Sequence, residues 1–342
     1  MIKFKSAILE KINKPLSVHE FSVPKLLRGQ VLVKIFFSGI CGSQLMEVTG
    51  NRGKDKWLPH GLGHEASGKV LKIGPGVKKV RVGDDVILSW IKGNGIDAGG
   101  TKLKNKKEKF INFGPITTFS NYSIVSENRV FLKPKNLGFK DGVLYGCAIP
   151  TGAGIVFNEL NISNNDKVLI IGIGGIGLSC LLALKSKNLK NIYVLEKSKK
   201  KINKVKKLKI KGLKFLNKKK DNEFDFCIEC SGKSEMIEYG MKKLKRNGHI
   251  IFASHPPSNE KIKINPHELI SGKSISGTWG GSCNLDKDIK HFNKFFIKKK
   301  ISLNMFFSKI YKLEKINDAL LDFKKGNIIR ALIKMEHNYH ET

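Results

Sequence analysis

Along the first 90 residues the apolar positions come in short runs, "VLVKIFF", "GKVLKIG" and "DDVILSW", each bounded by glycine, proline or charged turn residues. That texture predicts an all-β region with connecting loops. Residues 91–118, "IKGNGIDAGGTKLKNKKEKFINFGPITT", are rich in glycine and lysine without strong periodicity, and predict a long surface excursion. The pattern changes at Lys167. There "KVLIIGIGGIGLSCLLALKSKNLKNIYVLE" joins a continuous apolar run, a glycine cluster, a helical run and a second apolar run ending at Glu196, which is a βαβ unit. Further strands are predicted at "FDFCIECSG" and "GHIIFAS", with a helix over "SEMIEYGMKKLKRN" between them. Beyond about residue 285, a helical segment leads to "LEKINDALLDFKKGN" and the strand-like "RALIKM". The resulting division is a β-rich domain over 1–149, an inserted nucleotide domain over 150–283 and a C-terminal return over 284–342. No internal repeat is visible.

The chain has 342 residues, 40% of them hydrophobic and 27% charged, enough for two domains that each bury a core. No apolar run approaches the roughly 20 residues of a membrane span, so no membrane association is expected. The N-terminal stretch carries lysines throughout and lacks a signal-peptide pattern; the expected location is the cytoplasm. Basic residues outnumber acidic ones 63 to 29, a net charge of +34. The lysines are spread along the whole chain beside abundant Ile, Asn and Phe, which is a bias in residue usage rather than a nucleic-acid footprint, and no nucleic-acid partner is expected. Even the densest stretch, Lys197 to Lys220, has apolar residues at helical spacing in Ile202, Val205 and Leu208, so its lysines read as the solvated face of a helix. Six scattered cysteines are unlike a disulfide framework, and reduced thiols are expected. On a strand, Cys227 and Cys230 point to opposite faces, so this pair and Cys180 are read as buried structural cysteines. His60 is assigned no role.

Gly172-Ile-Gly174-Gly175-Ile176-Gly177 follows an apolar strand and opens a helix. In that context glycines bring helix N-terminal amides against a pyrophosphate. Glu196, at the end of the next strand, is placed to accept hydrogen bonds from an adenosine ribose and to repel a 2′-phosphate, so NAD is favoured over NADP. Lys197 and Lys199 to Lys201 lie immediately beyond and soften that preference; Lys201 is counted among the cofactor-binding positions.

The stretch "CGSQLMEVTGNRGKDKWLPHGLGHE", Cys41 to Glu65, holds one cysteine and two histidines. Thiolate and imidazole suit zinc, and a catalytic zinc takes three protein ligands and an open position. Taken alone, Cys41 and His64 also fit a buried thiol and a hydrogen-bonded histidine.

The surrounding motifs decide between these. "GHEASGKVLKIGPGV" resembles the zinc-site signature of the medium-chain, zinc-dependent alcohol dehydrogenases; "GICGSQ" resembles that family's first zinc-ligand motif and "GCAIPTGAG" its third. The glycine cluster follows in order, and "ECSGKSEMIEYGMKKLKRNGHIIFASHPP", "LISGKSISGTWGG" and "LEKINDALLDFKKGNIIRALI" also resemble the classical branch, which includes glutathione-dependent formaldehyde dehydrogenases. The resemblance covers nearly the whole chain. It implies an α/β fold: a GroES-like β-rich catalytic domain plus a Rossmann doubly wound parallel-sheet nucleotide-binding domain. It also implies that Cys41, His64 and Cys147 bind a catalytic zinc, with Glu65 near the metal and Ser43 as first member of a proton relay. Thr151 would border the nicotinamide, Arg330 would contact the cofactor pyrophosphate, and Trp90 and Phe119 would be walls of the alcohol pocket. The implied reaction is hydride exchange between a small-molecule alcohol and NAD, with zinc stabilising the alkoxide. A homodimer or homotetramer is implied as well. A relative acting on a polyol, sugar or glutathione adduct is the alternative within the family, and a non-catalytic NAD(H)-binding sensor is the alternative of another class.

Four departures stand out. Residues 91–118 contain no cysteine where the classical enzymes carry four for a structural zinc, so one catalytic zinc per subunit and no structural zinc are expected. Gln44 and Met46 replace an aspartate and a relay histidine common in the family, which leaves the ligand shell less negative and the proton without its usual exit. Gly42 removes a possible phosphate contact. Only "KKKDNE" separates "KFLN" from "FDFCIEC" where the family fits a helix, so the nucleotide domain looks trimmed there.

Overall fold

The computed structural model describes residues 2–106, 108–216, 223–326 and 328–337. Two compact units form: Met1–Cys147 with Asn284–Asn293 and Phe307–Thr342, and Ala148–Cys283 with Lys294–Phe306. Part of the stretch expected to return to the first unit, Lys294–Phe306, thus groups with the second. The trimming expected at "KKKDNE" lies, apart from Glu223, outside the described residues. Among the described residues no helix is long and apolar enough to cross a membrane.

In the first unit, alternation of apolar and polar positions builds two sheets. Strand Gln30–Gly39 is the hub of the larger one, pairing antiparallel with Glu65–Ile73, Tyr122–Ser126 and Arg330–Lys334. Asp85–Ser89 and Val130–Leu132 extend it beyond Glu65–Ile73, and Phe307–Lys312 extends it beyond Arg330–Lys334. Val31, Val33, Ile35, Ala66, Val70, Val86, Leu88, Ala331 and Ile333 share its main core. The order of the second sheet is Ser17–Ser22, Lys3–Leu9, His60–Gly61, Phe110–Gly114, Thr101–Lys104.

The excursion is therefore more ordered than its composition predicts. Two strands form within 91–118 because "TKLK" and "FINFG" alternate after all, burying Leu103, Ile111 and Phe113 against Phe4 and Phe21. The remainder is organised by one buried carboxylate. Glu127, 2% exposed, accepts from the amides of Lys78 (2.6 Å) and Lys79 (2.8 Å) on Oε1 and from Ile96 (2.7 Å) on Oε2. Burial alone would raise its pKa; the amides of Ile96, Lys79 and Lys78 and the Lys79 charge bring it below the ordinary carboxylate value. Lys79 in turn pairs with Asp286 at 2.7 Å, and the Asn94 amide donates to that same carboxylate.

The second unit has a six-stranded, wholly parallel sheet ordered Leu213–Phe215, Asn191–Leu195, Lys167–Ile171, Phe224–Glu229, Leu244–Phe252, Ser274–Gly277. Counted from Lys167, this is strand order 3-2-1-4-5-6, the doubly wound arrangement. Its order reverses between Lys167–Ile171 and Phe224–Glu229, where such sheets bind ligands. Helix Gly175–Ser186 is apolar around most of its circumference and correspondingly buried. Helix Lys199–Lys206 buries Val205 and half-buries Ile202, as its spacing predicts, and the Ser198 side chain caps it. Cys180, Cys227 and Cys230 are buried free thiols. Cys227 lies in the core beneath helix Ser234–Lys242, whereas Cys230 hydrogen-bonds Cys180.

Candidate active site

Three segments of the first unit converge on one cluster. Cys41 is the extended residue that caps helix Gly42–Val48, His64 immediately precedes strand Glu65–Ile73, and Cys147 ends the 3-10 turn Val143–Gly146. Each offers one ligand atom, and these atoms lie within 4.8 Å of one another. Cys41 Sγ and Cys147 Sγ are 3.9 Å apart. Two thiolates at tetrahedral positions on zinc, each bonded at about 2.3 Å, stand about 3.8 Å from each other. His64 Nε2 is buried and has no hydrogen-bond partner among the described residues. The cluster thus fits a zinc ion in donor type, spacing and an orphaned nitrogen.

The electrostatics of the two thiols agree. Cys41 is held well below the ordinary thiol value, chiefly by the hydrogen bond from Cys147, against the opposing effect of burial, and further by Arg330. Cys147 is pushed well above it by the same pairing and by burial. The pair keeps one proton; a dication is what would allow both to ionise.

Gln44, 1% exposed, ties two of these residues together. Its Oε1 accepts from the Cys41 amide at 2.8 Å and its Nε2 lies 2.5 Å from His64 Nδ1. Ser43 Oγ, one residue away, is buried without a hydrogen-bond partner. Glu65 is fully buried and pairs with Arg330, Nη1 to Oε1 at 3.1 Å, while Arg330 also donates to the Ile40 carbonyl at 2.9 Å. Burial alone would lower the Arg330 pKa; Glu65 and the thiolates of Cys41 and Cys147 instead raise it above the ordinary value. Arg330, expected at a cofactor phosphate, is paired in this structure with Glu65 beside the Cys41–His64–Cys147 cluster. Its separation from Glu65 by most of the chain hid that contact from sequence reasoning.

Trp90 lies beside His64, with ring centroids 6.3 Å apart. Phe119 is different: it is 0% exposed and belongs to the apolar core, so it is a core ring here rather than a pocket wall. The cause is its neighbourhood, since its amide donates to the Leu62 carbonyl and its carbonyl accepts from Ala7. His60, left unassigned, bonds Asp55 at 2.7 Å and secures its own loop.

In the second unit, Gly172 adopts φ +87° at the end of its strand, and its amide donates to the Leu195 carbonyl at 2.8 Å. A β-carbon on Gly177 would lie 2.0 Å from the Gly172 carbonyl oxygen, so only glycine allows the helix this close to the strand. Gly174 caps helix Gly175–Ser186, which starts with Gly175 and Ile176, and a β-carbon there would meet open space. Glu196 accepts from the amides of Ile173 (2.7 Å) and Ser198 (2.8 Å), fixing its carboxylate beside the loop. The cradle fits a dinucleotide. Lys201 follows in helix Lys199–Lys206, its pKa lowered by burial and partly restored by Glu196. Thr151 is buried in helix Ala148–Gly154.

Comparison with known proteins agrees with this geometry. Residues 27–135 match the alcohol dehydrogenase GroES-like domain. Over 98% of both chains the protein is 26% identical to an S-(hydroxymethyl)glutathione dehydrogenase of Komagataella pastoris. It is 24% identical to alcohol dehydrogenase 6 of Peromyscus maniculatus, covering 97% of this chain and 98% of that one. Among solved structures, benzyl alcohol dehydrogenase of Acinetobacter calcoaceticus superposes with a TM-score of 0.85 at 24% identity, covering 98% of this chain and all of that one. An alcohol dehydrogenase zinc-binding domain protein of Burkholderia ambifaria, at 22% identity and with the same coverage, gives 0.88. With its motifs in order on this fold, the chain is similar over nearly its whole length to medium-chain, zinc-type alcohol dehydrogenases, and residues 27–135 carry their GroES-like domain.

Proposed function

We propose that the protein is a zinc-dependent oxidoreductase that transfers hydride between an alcohol and NAD, interconverting the alcohol with an aldehyde or ketone. The observation that carries this is the Cys41–His64–Cys147 cluster, three zinc-type donors within 4.8 Å. A zinc ion held by these residues would supply Lewis acidity toward the substrate oxygen, and NAD held at Gly172, Gly174, Gly175, Ile176, Gly177, Glu196 and Lys201 would accept the hydride. Ser43 Oγ takes the proton of the substrate hydroxyl as the first relay position, consistent with its unpartnered state. Gln44 and Met46 bear no titratable group, so neither can take the proton onward from Ser43. Gln44 holds Cys41 in place through its backbone amide. Glu65, neutralised by Arg330, shapes the charge around the cluster, and Thr151 borders the nicotinamide. Trp90 lines the substrate side of His64.

One zinc per subunit and no structural zinc follow from the cysteine-free 91–118 segment, whose organiser is Glu127. The carboxylate of Glu196 favours NAD over NADP. A homodimer or homotetramer is supported by the outermost strand Ser274–Gly277, flanked by exposed Leu269, Ile270 and Trp279. Cytoplasmic location is the accompanying inference.

The test is metal content and turnover. Protein with no bound zinc, and no zinc-dependent NAD reduction across a broad panel of alcohols, would sink the proposal. A second substrate reading, a glutathione adduct, is favoured by the match to the Komagataella enzyme. Rates on ethanol, hexitols and hydroxymethylglutathione discriminate between these classes.

A further inference from the structure

The Gly172–Gly177 cradle has a neighbour across the switch point that the reaction does not use. Glu229 ends strand Phe224–Glu229, in register with Ile171 on one side and Phe252 on the other. It is fully buried. Its Oε1 accepts from the Ser231 amide at 2.6 Å and from the Ser231 hydroxyl. Oε2 is buried with no partner among the described residues. Ser231 is the residue that abuts the first glycine of the cradle: a β-carbon on Gly172 would stand 3.1 Å from Ser231 Cα. A single carboxyl therefore fixes the wall opposite the phosphate loop, while half of it lacks any donor.

Resting on the dinucleotide reading above, we propose that Glu229 is a proton-linked positioning residue of the cofactor site, holding Ser231 against Gly172 and taking up a proton on Oε2 when a dinucleotide binds. An ionised carboxylate buried with one oxygen unpaired costs more than the neutral acid, which carries no net charge out of water. Burial pushes Glu229 up to about 7, opposed by the Ser231 hydroxyl and the Ser231 and Gly232 amides. The titratable groups facing it are thiols: Cys227 on its own strand, and Cys230 with its hydrogen-bond partner Cys180 from helix Gly175–Ser186. No cation among the described residues forms an ion pair with it. A bound pyrophosphate adds negative charge beside Gly172 and excludes water, and both effects favour the protonated form. The proton comes from solvent and no other bond changes.

The sign follows from linkage. Binding raises the Glu229 pKa, so affinity is greatest below neutral pH and falls as pH rises through the free-state value, by up to about tenfold per pH unit. The test measures NADH binding by fluorescence titration from pH 6 to 9, and proton uptake by calorimetry in buffers of different ionisation heat, on the zinc-loaded protein and on Glu229→Gln. The amide mimics the neutral acid. Glu229→Gln should bind NADH as the parent does at low pH, and lose both the steepest part of the decline and the matching fraction of proton uptake. Should that variant fail to fold, proton uptake by the parent near pH 7.5 still decides. No uptake in the parent, or the same uptake and slope in Glu229→Gln, overturns the proposal. Absence of NADH binding in both proteins overturns the dinucleotide reading itself, and this inference with it.

Discussion

Replacing the buried Glu127 by alanine removes the acceptor of three backbone amides at once, those of Lys78, Lys79 and Ile96. A hydrogen bond to a charged group contributes about 1.5–3 kcal/mol, and three that share one acceptor are not additive, so a local destabilisation of about 3–5 kcal/mol is expected at pH 7. Glu127→Gln should lose less, about 2 kcal/mol, because its oxygen can still serve Lys78 and Lys79 while its NH2 faces the Ile96 amide. Native-state hydrogen exchange reads these three amides directly and does not require the two units to unfold together. The pH dependence is fixed in sign. With its folded pKa depressed, Glu127 contributes stability above its unfolded value, about 4.3, and loses it as pH falls through the folded value. The gap between parent and Glu127→Ala should therefore narrow on acidification. A difference under about 1 kcal/mol at pH 7, or one that widens in acid, would refute the reasoning.

Other expectations concern the metal and the cofactor. Cys147→Ser should lose zinc and activity while keeping its circular dichroism spectrum; full zinc content in that variant would remove Cys147 from the ligand set. Gln44 spends its oxygen on the Cys41 amide and presents its nitrogen to His64 Nδ1, yet a metal on Nε2 needs a proton, and hence an acceptor, at Nδ1. Gln44→Glu can accept from both, so chelator competition should show zinc held about tenfold tighter, and unchanged affinity would count against this account. Glu196→Ala should narrow the preference for NADH over NADPH, read as a ratio of dissociation constants, and should weaken NADH binding about tenfold through loss of the ribose acceptor and of the fixed Ile173 amide.

What sequence could reveal divides by distance along the chain. The βαβ unit and its glycines were legible because strand, turn and helix signals are local, and Val205 marked the buried side of its helix for the same reason. Residue type alone left Cys41 and His64 open, and they joined Cys147 as candidate ligands through family resemblance, since the approach of Cys147 to Cys41 depends on tertiary folding. Contacts made by folding alone were missed. Arg330 meets Glu65 only when strands Gln30–Gly39 and Arg330–Lys334 pair. Phe119 is drawn into the core by Ala7 and Leu62. The short alternations at Leu103 and at Ile111 and Phe113 were masked by the lysines around them, and only the aromatic cluster they meet shows them to be strands.

The carboxylate at the root of the 91–118 lobe also sets how that part of the protein can fail. Residues 91–118, gathered around Glu127, hold no cysteine, so an oxidant that attacks the thiols of the Cys41–His64–Cys147 cluster leaves the groups that order the lobe untouched. Its vulnerability is acid. The thiols of the cluster can thus be damaged without the architecture of the lobe, whereas acid strong enough to neutralise Glu127 also protonates the Cys41, His64 and Cys147 donors.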